Sequence, residues 1–336
     1  MTAMAILGDR PRILGVGSPM MDLLAQVSDS FLEGISGAKG GMEWVSPGEM
    51  NEIIERLPVP PHRAPGGSAA NTVCALARLG LPVALLGKMG LDAEADAYKD
   101  AFLELGGSAE CFKYTDERVT GRCLSLITPD GERTMRTDLG AAMLIGIDDV
   151  TPADFSGCRH VHVEGYGLYN PDFVCHVLKT AKSCGCTVSL DLGSFEVVRG
   201  VRALLPDLLR NYVDIVFANE DEARAFCDEE APERALDALV ACCEVAAVKL
   251  GAKGAWIQSG ANRVRVEPVP VAKVVDTTGA GDCWAAGVLF GHLNGMALEE
   301  SGRLASLIGA ETVSCLGASP DDEGWRRIRS MSPLNL

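Results

Sequence analysis

The sequence predicts an α/β fold: a central, mostly parallel sheet with helices on both faces, plus a small β lid at one edge. Three observations carry this. From about residue 160 to 250, apolar runs of strand length alternate with helical segments, the rhythm of strand–helix–strand units. Those runs are apolar throughout rather than polar at every second position, as strands covered on both faces are. Residues 109–137, by contrast, hold several short strand candidates with no helix between them.

Taken in order, 12–17 is a short apolar run that predicts a buried opening strand, and 20–27 continues extended. Ser46-Pro-Gly-Glu49 has capping-box spacing with proline at the first helical position, which predicts a helix over 47–57. Pro58-Val-Pro-Pro61 ends it. Gly66-Gly67 leads into an Ala/Leu-rich helix that stops at Gly80. A strand at 83–87 and a helix at 93–105 follow, closed by Gly106-Gly107. Strand candidates lie at 111–114, 122–128 and 132–137, with Pro129-Asp130-Gly131 supplying a hairpin turn. The alternation then runs through 160–164, 172–184, 186–191, 196–210, 213–217, 219–227, 234–243 and 245–250. Short strands around Trp256 and Val264 precede helices at 280–293 and about 297–315. The expected organisation is one domain over 1–336, with lid strands inserted at about 20–45 and 109–137. Polar stretches such as 133–136 predict that the lid has little core of its own.

Of 336 residues, 47% are hydrophobic and 23% charged, a globular composition. Thirty Lys+Arg against 46 Asp+Glu leave a net charge of −16. Such a chain is repelled by phosphate backbones and anionic bilayers, which sets nucleic-acid and membrane-surface roles aside. No apolar run reaches membrane-spanning length, and residues 1–12 lack a secretory pattern, so the chain reads as cytoplasmic. Twelve cysteines are scattered without a C-x-x-C pair, the pattern of buried reduced thiols rather than a metal site. His160 and His162 read as ordinary strand positions, and Asp228-Glu229-Glu230 as a solvated charge run.

Ligands of open α/β sheets bind beyond the carboxyl ends of strands, where glycine-rich turns lead into helices. Gly15-Val-Gly17-Ser18-Pro19-Met20 starts like a dinucleotide fingerprint, but Met20 stands at the third glycine position, which counts against a nicotinamide oxidoreductase. No P-loop exists either, since Gly87-Lys88 is followed by Met89. Asp276-Thr-Thr278-Gly279-Ala280-Gly281-Asp282 is more informative. Its small residues open an apolar helix, so the amides of Gly279, Ala280 and Gly281 can converge on an anion, with Asp282 beside it. A tight turn with a favourable N-terminal charge is the plain structural alternative.

The stretch 276–289 resembles the C-terminal signature of the ribokinase-like (PfkB) carbohydrate kinases. Gly66-Gly67-Ser-Ala-Ala-Asn71 through Gly80 to Gly90 resembles their N-terminal signature, departing from it at Val73. Asn219-Glu-Asp-Glu222 resembles the family's N-x-x-E motif and Leu250-Gly251-Ala-Lys-Gly254 its later glycine turn, in the family's order over about 12–320. The resemblance implies a ribokinase-like three-layer fold and an ATP- and Mg²⁺-dependent phosphotransferase. It makes Asp282 the catalytic base and the amides of 279–281 the anion hole. It gives Asp22, with Ser18, Gly67 and Asn71, to the substrate, and Asn219, Lys249, Gly251 and Gly254 to the nucleotide and its phosphates. Glu222 and Asn219 would hold Mg²⁺ largely through water. The plain structural alternative for that pair is a well-formed helix cap. Asp276 and Thr278 match positions of a monovalent-cation (K⁺) site. Lys249 departs from the threonine common at its position, and either meets ATP phosphates or points outward. A helix N-terminus is expected to lower the pKa of Asp282, leaving an ionised carboxylate that orients a hydroxyl whose proton departs late.

For the substrate, Gly15 to Asp22, Gly131-Glu-Arg-Thr-Met135 and Leu139-Gly-Ala-Ala142 resemble the adenosine-kinase branch, although Ser18 stands where that branch often has Asn. Tyr166 either stacks on a base or packs in the core. A nucleoside and a free sugar (ribose, fructose or 2-keto-3-deoxygluconate) both stay open as small-molecule substrates, as do a monomer and a homodimer. A non-catalytic binding relative would lose Asp282 or the glycine triplet first, and this chain keeps both.

Overall fold

The computed structural model describes residues 11–331. The expectation drawn from residues 1–12 falls almost wholly outside that range. In chain order the strands are β1 (Arg12–Val16), β2 (Met20–Gln26), β3 (Met42–Trp44), β4 (His62–Gly66), β5 (Val83–Gly90), β6 (Phe112–Thr115) and β7 (Gly121–Ile127). Next come β8 (Arg133–Asp138), β9 (Cys158–Glu164), β10 (Thr187–Asp191), β11 (Ile215–Asn219), β12 (Val245–Lys249), β13 (Ala255–Ser259) and β14 (Asn262–Val266). The helices begin with α1 (Asp29–Leu32), α2 (Pro47–Glu55), α3 (Ser68–Arg78), α4 (Ala93–Glu104), α5 (Pro171–Ser183) and α6 (Phe195–Val201). They continue with α7 (Leu205–Tyr212), α8 (Glu220–Cys227), α9 (Pro232–Val240), α10 (Ala280–Leu293), α11 (Leu298–Val313) and α12 (Asp322–Met331).

Nine strands form the large sheet in the order β14-β13-β12-β11-β10-β9-β1-β5-β6, parallel except for the β13–β14 hairpin at one edge. Successive residues of a strand face opposite ways. Ile215 and Phe217 therefore join one apolar layer, while Val216 and Ala218 join the other. Both faces are thus covered, which explains the uninterrupted apolar runs in the sequence. The chain moves one way from β1 to β5 and the other way from β9 through β12. Loops diverge where the winding reverses, so a crevice opens between the ends of β1 and β9.

The small sheet has the order β3-β8-β7-β2-β4, and its composition corrects the expected lid in two places. Phe112–Thr115 belongs to the edge of the large sheet, parallel to β5. His62–Gly66, unforeseen as a strand, pairs antiparallel with β2. Its Pro65 is tolerated because β4 lies at the sheet edge, where a missing N–H costs no ladder bond. Nor does this sheet lack a core. Leu23, Leu124 and Leu126 are buried in one cluster with Met50 and Ile53 of α2, and Arg136 is 1% exposed, donating to the carbonyls of Met135 and Ser36.

The expected helix over 196–210 is two helices, because Pro206 lacks the N–H that would continue the first into the second. Helix α12 escaped the sequence reading; it is mostly polar, yet it buries Trp325 and Ile328. All twelve cysteines are free thiols. His160 and His162 are buried strand residues, bonded to Thr187 and to the shared hydroxyl of Ser189, and burial holds both imidazoles well below their usual pKa. Among the described residues no helix is long and apolar enough to cross a membrane.

Candidate active site

The carboxyl ends of β1, β9, β10, β11 and β12, the N-terminus of α10 and the inner face of the small sheet converge on one cavity of about 300 Å³. Helix α10 starts there for a local reason. Gly279, its N-cap, has φ +67°, and a Cβ at that position would lie 2.6 Å from Ala318. The first N–H groups of the helix have no intrahelical acceptor, and that of Ala280 makes only a long 3.4 Å contact to the Thr277 carbonyl. Orphan donors and helix dipole therefore face the cavity at Gly279 to Gly281, with Asp282 in the same turn.

Asp282 is held from the opposite helix. Ser68 Oγ donates to its Oδ1 and Asn71 Nδ2 to its Oδ2, both at 2.8 Å. Burial, and then the neighbouring Asp191, push its carboxyl up to about 6, against the pull of Asn71, Lys249 and Ser68. This corrects the expected lowering at a helix N-terminus. Desolvation and a second carboxylate outweigh the dipole, leaving a group better matched to accepting a proton near neutral pH.

Across the cavity, Asp22 of β2 is 8% exposed, and burial pushes its carboxyl up to about 7, with Arg133 pulling the other way. A Cβ on Gly66 would lie 2.2 Å from this carboxylate, so the glycine makes room for it. Among the described residues no side chain or amide donates to Asp22, and both its oxygens are available to ligand hydroxyls. Gly67, with φ +105°, caps α3 against the Ser18 carbonyl. Glu164, 2% exposed at the end of β9, accepts from Ser18 N at 2.8 Å and Ala69 N at 3.0 Å. It thereby ties the turn after β1 to the start of α3.

Asn219 and Glu222 form a reciprocal cap. Asn219 N and Nδ2 donate to Glu222 at 2.8 and 2.7 Å, and Glu222 N donates back to Asn219 Oδ1 at 2.9 Å. The capping role is therefore real, yet Glu222 also lines the cavity, and burial beside Asp191 raises its pKa. Each carboxylate oxygen keeps a lone pair for a water, which suits an outer contact to Mg²⁺. Lys249 does not point outward: its Nζ lies 2.7 Å from Asp191 Oδ2. Gly251 and Gly254 shape the turn after β12 and lie outside the cavity lining. Asp276 is fully buried; its oxygens accept from Thr278 N at 2.9 Å, Thr278 Oγ1 at 2.6 Å and Gly317 N at 2.9 Å. Thr278 Oγ1 also accepts from Arg133 at 3.0 Å. These contacts hold the turn that opens α10.

The pattern of the pfkB family carbohydrate kinases matches residues 59–324. The chain belongs to that family. An adenosine kinase from Sinorhizobium meliloti superposes with a TM-score of 0.87 at 34% identity, over 96% of this chain and 99% of that one. An uncharacterized sugar kinase of Archaeoglobus fulgidus is 32% identical over 72% of this chain and 96% of its own length. The adenosine kinase of Saccharomyces cerevisiae is 26% identical over 92% of this chain and 96% of that protein. This PfkB kinase is accordingly a phosphotransferase acting on a sugar or a nucleoside.

The fold of the kinase brings together Ser18, Asp22, Gly67, Asn71, Asn219, Glu222, Lys249, Thr278, Gly279, Gly281 and Asp282 around one cavity. Asp276 sits behind them in the core. The sequence reading missed Ser68, Arg133, Glu164 and Asp191. Ser68 had a signal, standing between Gly67 and Asn71 at a helix start. Glu164 and Asp191 had a weaker one, each being an acid that ends an apolar strand.

Proposed function

We propose that this PfkB kinase transfers the γ-phosphate of ATP to the primary hydroxyl of an adenosine-like nucleoside. One observation carries the nucleoside reading: the cavity lining includes a set of apolar and aromatic side chains. Met42, Trp44, Met135, Leu139, Tyr166 and Tyr169 belong to it, and Trp44 of β3 meets Tyr169 edge-on at 5.7 Å. A free sugar presents hydroxyls on every side and gains little from such a lining, whereas a purine offers a flat π-face. The 34% identical adenosine kinase supports the same reading.

In this reading Asp22 accepts two ribose hydroxyls, and a compound lacking them leaves its buried carboxylate unpaired. The primary hydroxyl lies against Asp282, which orients it and takes its proton. The donors at the start of α10 receive the phosphoryl group, and Glu222 with Asn219 would hold Mg²⁺ through water, the ion offsetting charge on the phosphates. Phosphoryl transfer has a loose transition state, so positioning and charge stabilisation account for most of the catalysis. The small sheet acts as the lid: Arg133 and Trp44 reach from it to the large domain at Thr278 and Tyr169.

A free-sugar kinase is the second reading, favoured by the Archaeoglobus fulgidus relative. A coupled assay over adenosine, other nucleosides, ribose, fructose and 2-keto-3-deoxygluconate separates the two. Adenosine or a close analogue should give the highest kcat/KM. A free sugar exceeding every nucleoside tenfold overturns the nucleoside reading.

A further inference from the structure

We propose that Lys249 is a catalytic residue: its ammonium group lies at the N-terminus of α10 to neutralise the phosphoryl group in flight, with Asp191 as the residue that positions it. This rests on ATP as phosphoryl donor but not on the identity of the acceptor.

Three placements support it. Lys249 ends β12, between the buried strand and the cavity, with its side chain 15% exposed. Asp191, at the end of β10, is itself fixed, because its Oδ1 accepts from Gly193 N at 3.0 Å while Oδ2 takes the lysine at 2.7 Å. A Cβ added to Gly281 would lie 3.2 Å from Nζ, so the ammonium rests on the same first turn that offers the orphan amides. An ammonium has three N–H donors. Asp191 takes one, and among the described residues the other two have no protein acceptor.

The charge balance of the cavity gives that cation a task. Asp191, Glu222 and Asp282 all line it, and a terminal phosphate approaching them meets three carboxyl groups. Among the described residues, Lys249 and Arg133 are the cationic side chains in the lining. Burial pulls the ammonium pKa down, but Asp191 and Glu222 more than offset it and hold it above the usual lysine value. The ion pair with Asp191 thus favours the charged form of the group. The ammonium adds a preorganised charge to neutral backbone donors, where in-flight negative charge is spread over three oxygens.

A brace that merely neutralises Asp191 is the rival role, and two variants separate them. Lys249→Met removes charge and hydrogen bond together. Lys249→Gln keeps an N–H for Asp191 without the charge, and covers the case in which the methionine variant does not fold. On the best acceptor of the panel, kcat should fall by roughly 10²–10³ in both, the usual effect of losing one such donor. By calorimetry, affinity for the non-hydrolysable triphosphate AMP-PNP should drop about tenfold or more while that for ADP stays within about threefold. A kcat in Lys249→Gln within threefold of the parent, or equal losses for both nucleotides, overturns the catalytic role. Failure of the parent protein to bind either nucleotide overturns the ATP reading itself, and this proposal with it.

Discussion

Asn71 Nδ2 and Asp282 Oδ2 lie 2.8 Å apart although 211 residues separate them in sequence. The N-terminal halves of α3 and α10 thus pack together, and the amide that the sequence assigns to substrate is bonded to the candidate base. This bond stabilises the ionised carboxylate and lowers its pKa. Asn71→Ala should therefore raise it. A hydrogen bond to a charged group is worth about 1.5–3 kcal/mol, and relaxation of the site discounts that to a shift of about one pH unit. The acid limb of the kcat–pH profile should move upward by that amount, while activity at pH 9 recovers most of the parent value. An unmoved limb would mean that Asn71 serves the substrate alone.

Asp282→Asn keeps the shape of the turn and can still bond Ser68, so folding should change little. It removes the proton acceptor, and turnover should fall by roughly 10²–10⁴. Nucleotide binding, which uses backbone donors, should survive. A variant that turns over within a few-fold of the parent with nucleotide binding intact would show that another group accepts the proton.

Asp22 and Asp282 are both pushed up by burial, to about 7 and about 6. Both act as carboxylates, so kcat/KM should rise as pH climbs through about 6 to 7 and level off above. Stability has the opposite sign. A carboxyl whose folded pKa exceeds its unfolded value of 3.8 favours the fold in its protonated form. That contribution is present at low pH and is lost as pH rises through 7. Ligand-free Asp22→Asn should consequently melt a few degrees above the parent at pH 8, with the difference shrinking toward pH 4. The same variant should raise KM for the acceptor strongly, since two hydroxyls lose their acceptor. A KM unchanged within twofold would remove Asp22 from the acceptor site.

How far the sequence revealed this site depended on whether each residue's role was local. The turn at Gly279 to Asp282 was legible because its small residues open an apolar helix within a signature that resembles the family's, and Gly66-Gly67 because paired glycines mark a forced backbone. Glu164 and Asp191 were not. Their roles arise from bonds to Ala69 and Lys249, 95 and 58 positions away, and the one local signal, an acid ending an apolar strand, does not say what that acid meets. The pKa of Asp282 was misread for a related reason. The dipole is local, but the burial and the Asp191 carboxylate that outweigh it are brought there by the tertiary fold. The strands followed the same rule: the strand at 112–115 was visible, but which sheet claimed it depended on β5.

Arg133 provides the test of lid closure. From β8 it donates to Thr278 Oγ1 at 3.0 Å, linking the small sheet to the turn that opens α10. This sheet buries a core with α2, so it should move as a body rather than melt, with the chain flexing where it passes between sheets near Gly17 and Gly67. Hydrogen exchange should then slow on acceptor binding at the cavity mouth, in β3 and the β7–β8 turn, more than in the buried centre of β7. Arg133→Ala breaks the link while leaving Asp282 and the α10 turn in place. Substrate-induced protection should weaken, kcat should fall at least tenfold, and ATP hydrolysis without transfer should rise relative to transfer as water gains entry. Protection identical to the parent, with an unchanged ratio of hydrolysis to transfer, would show that the arginine supplies charge to the site without closing it.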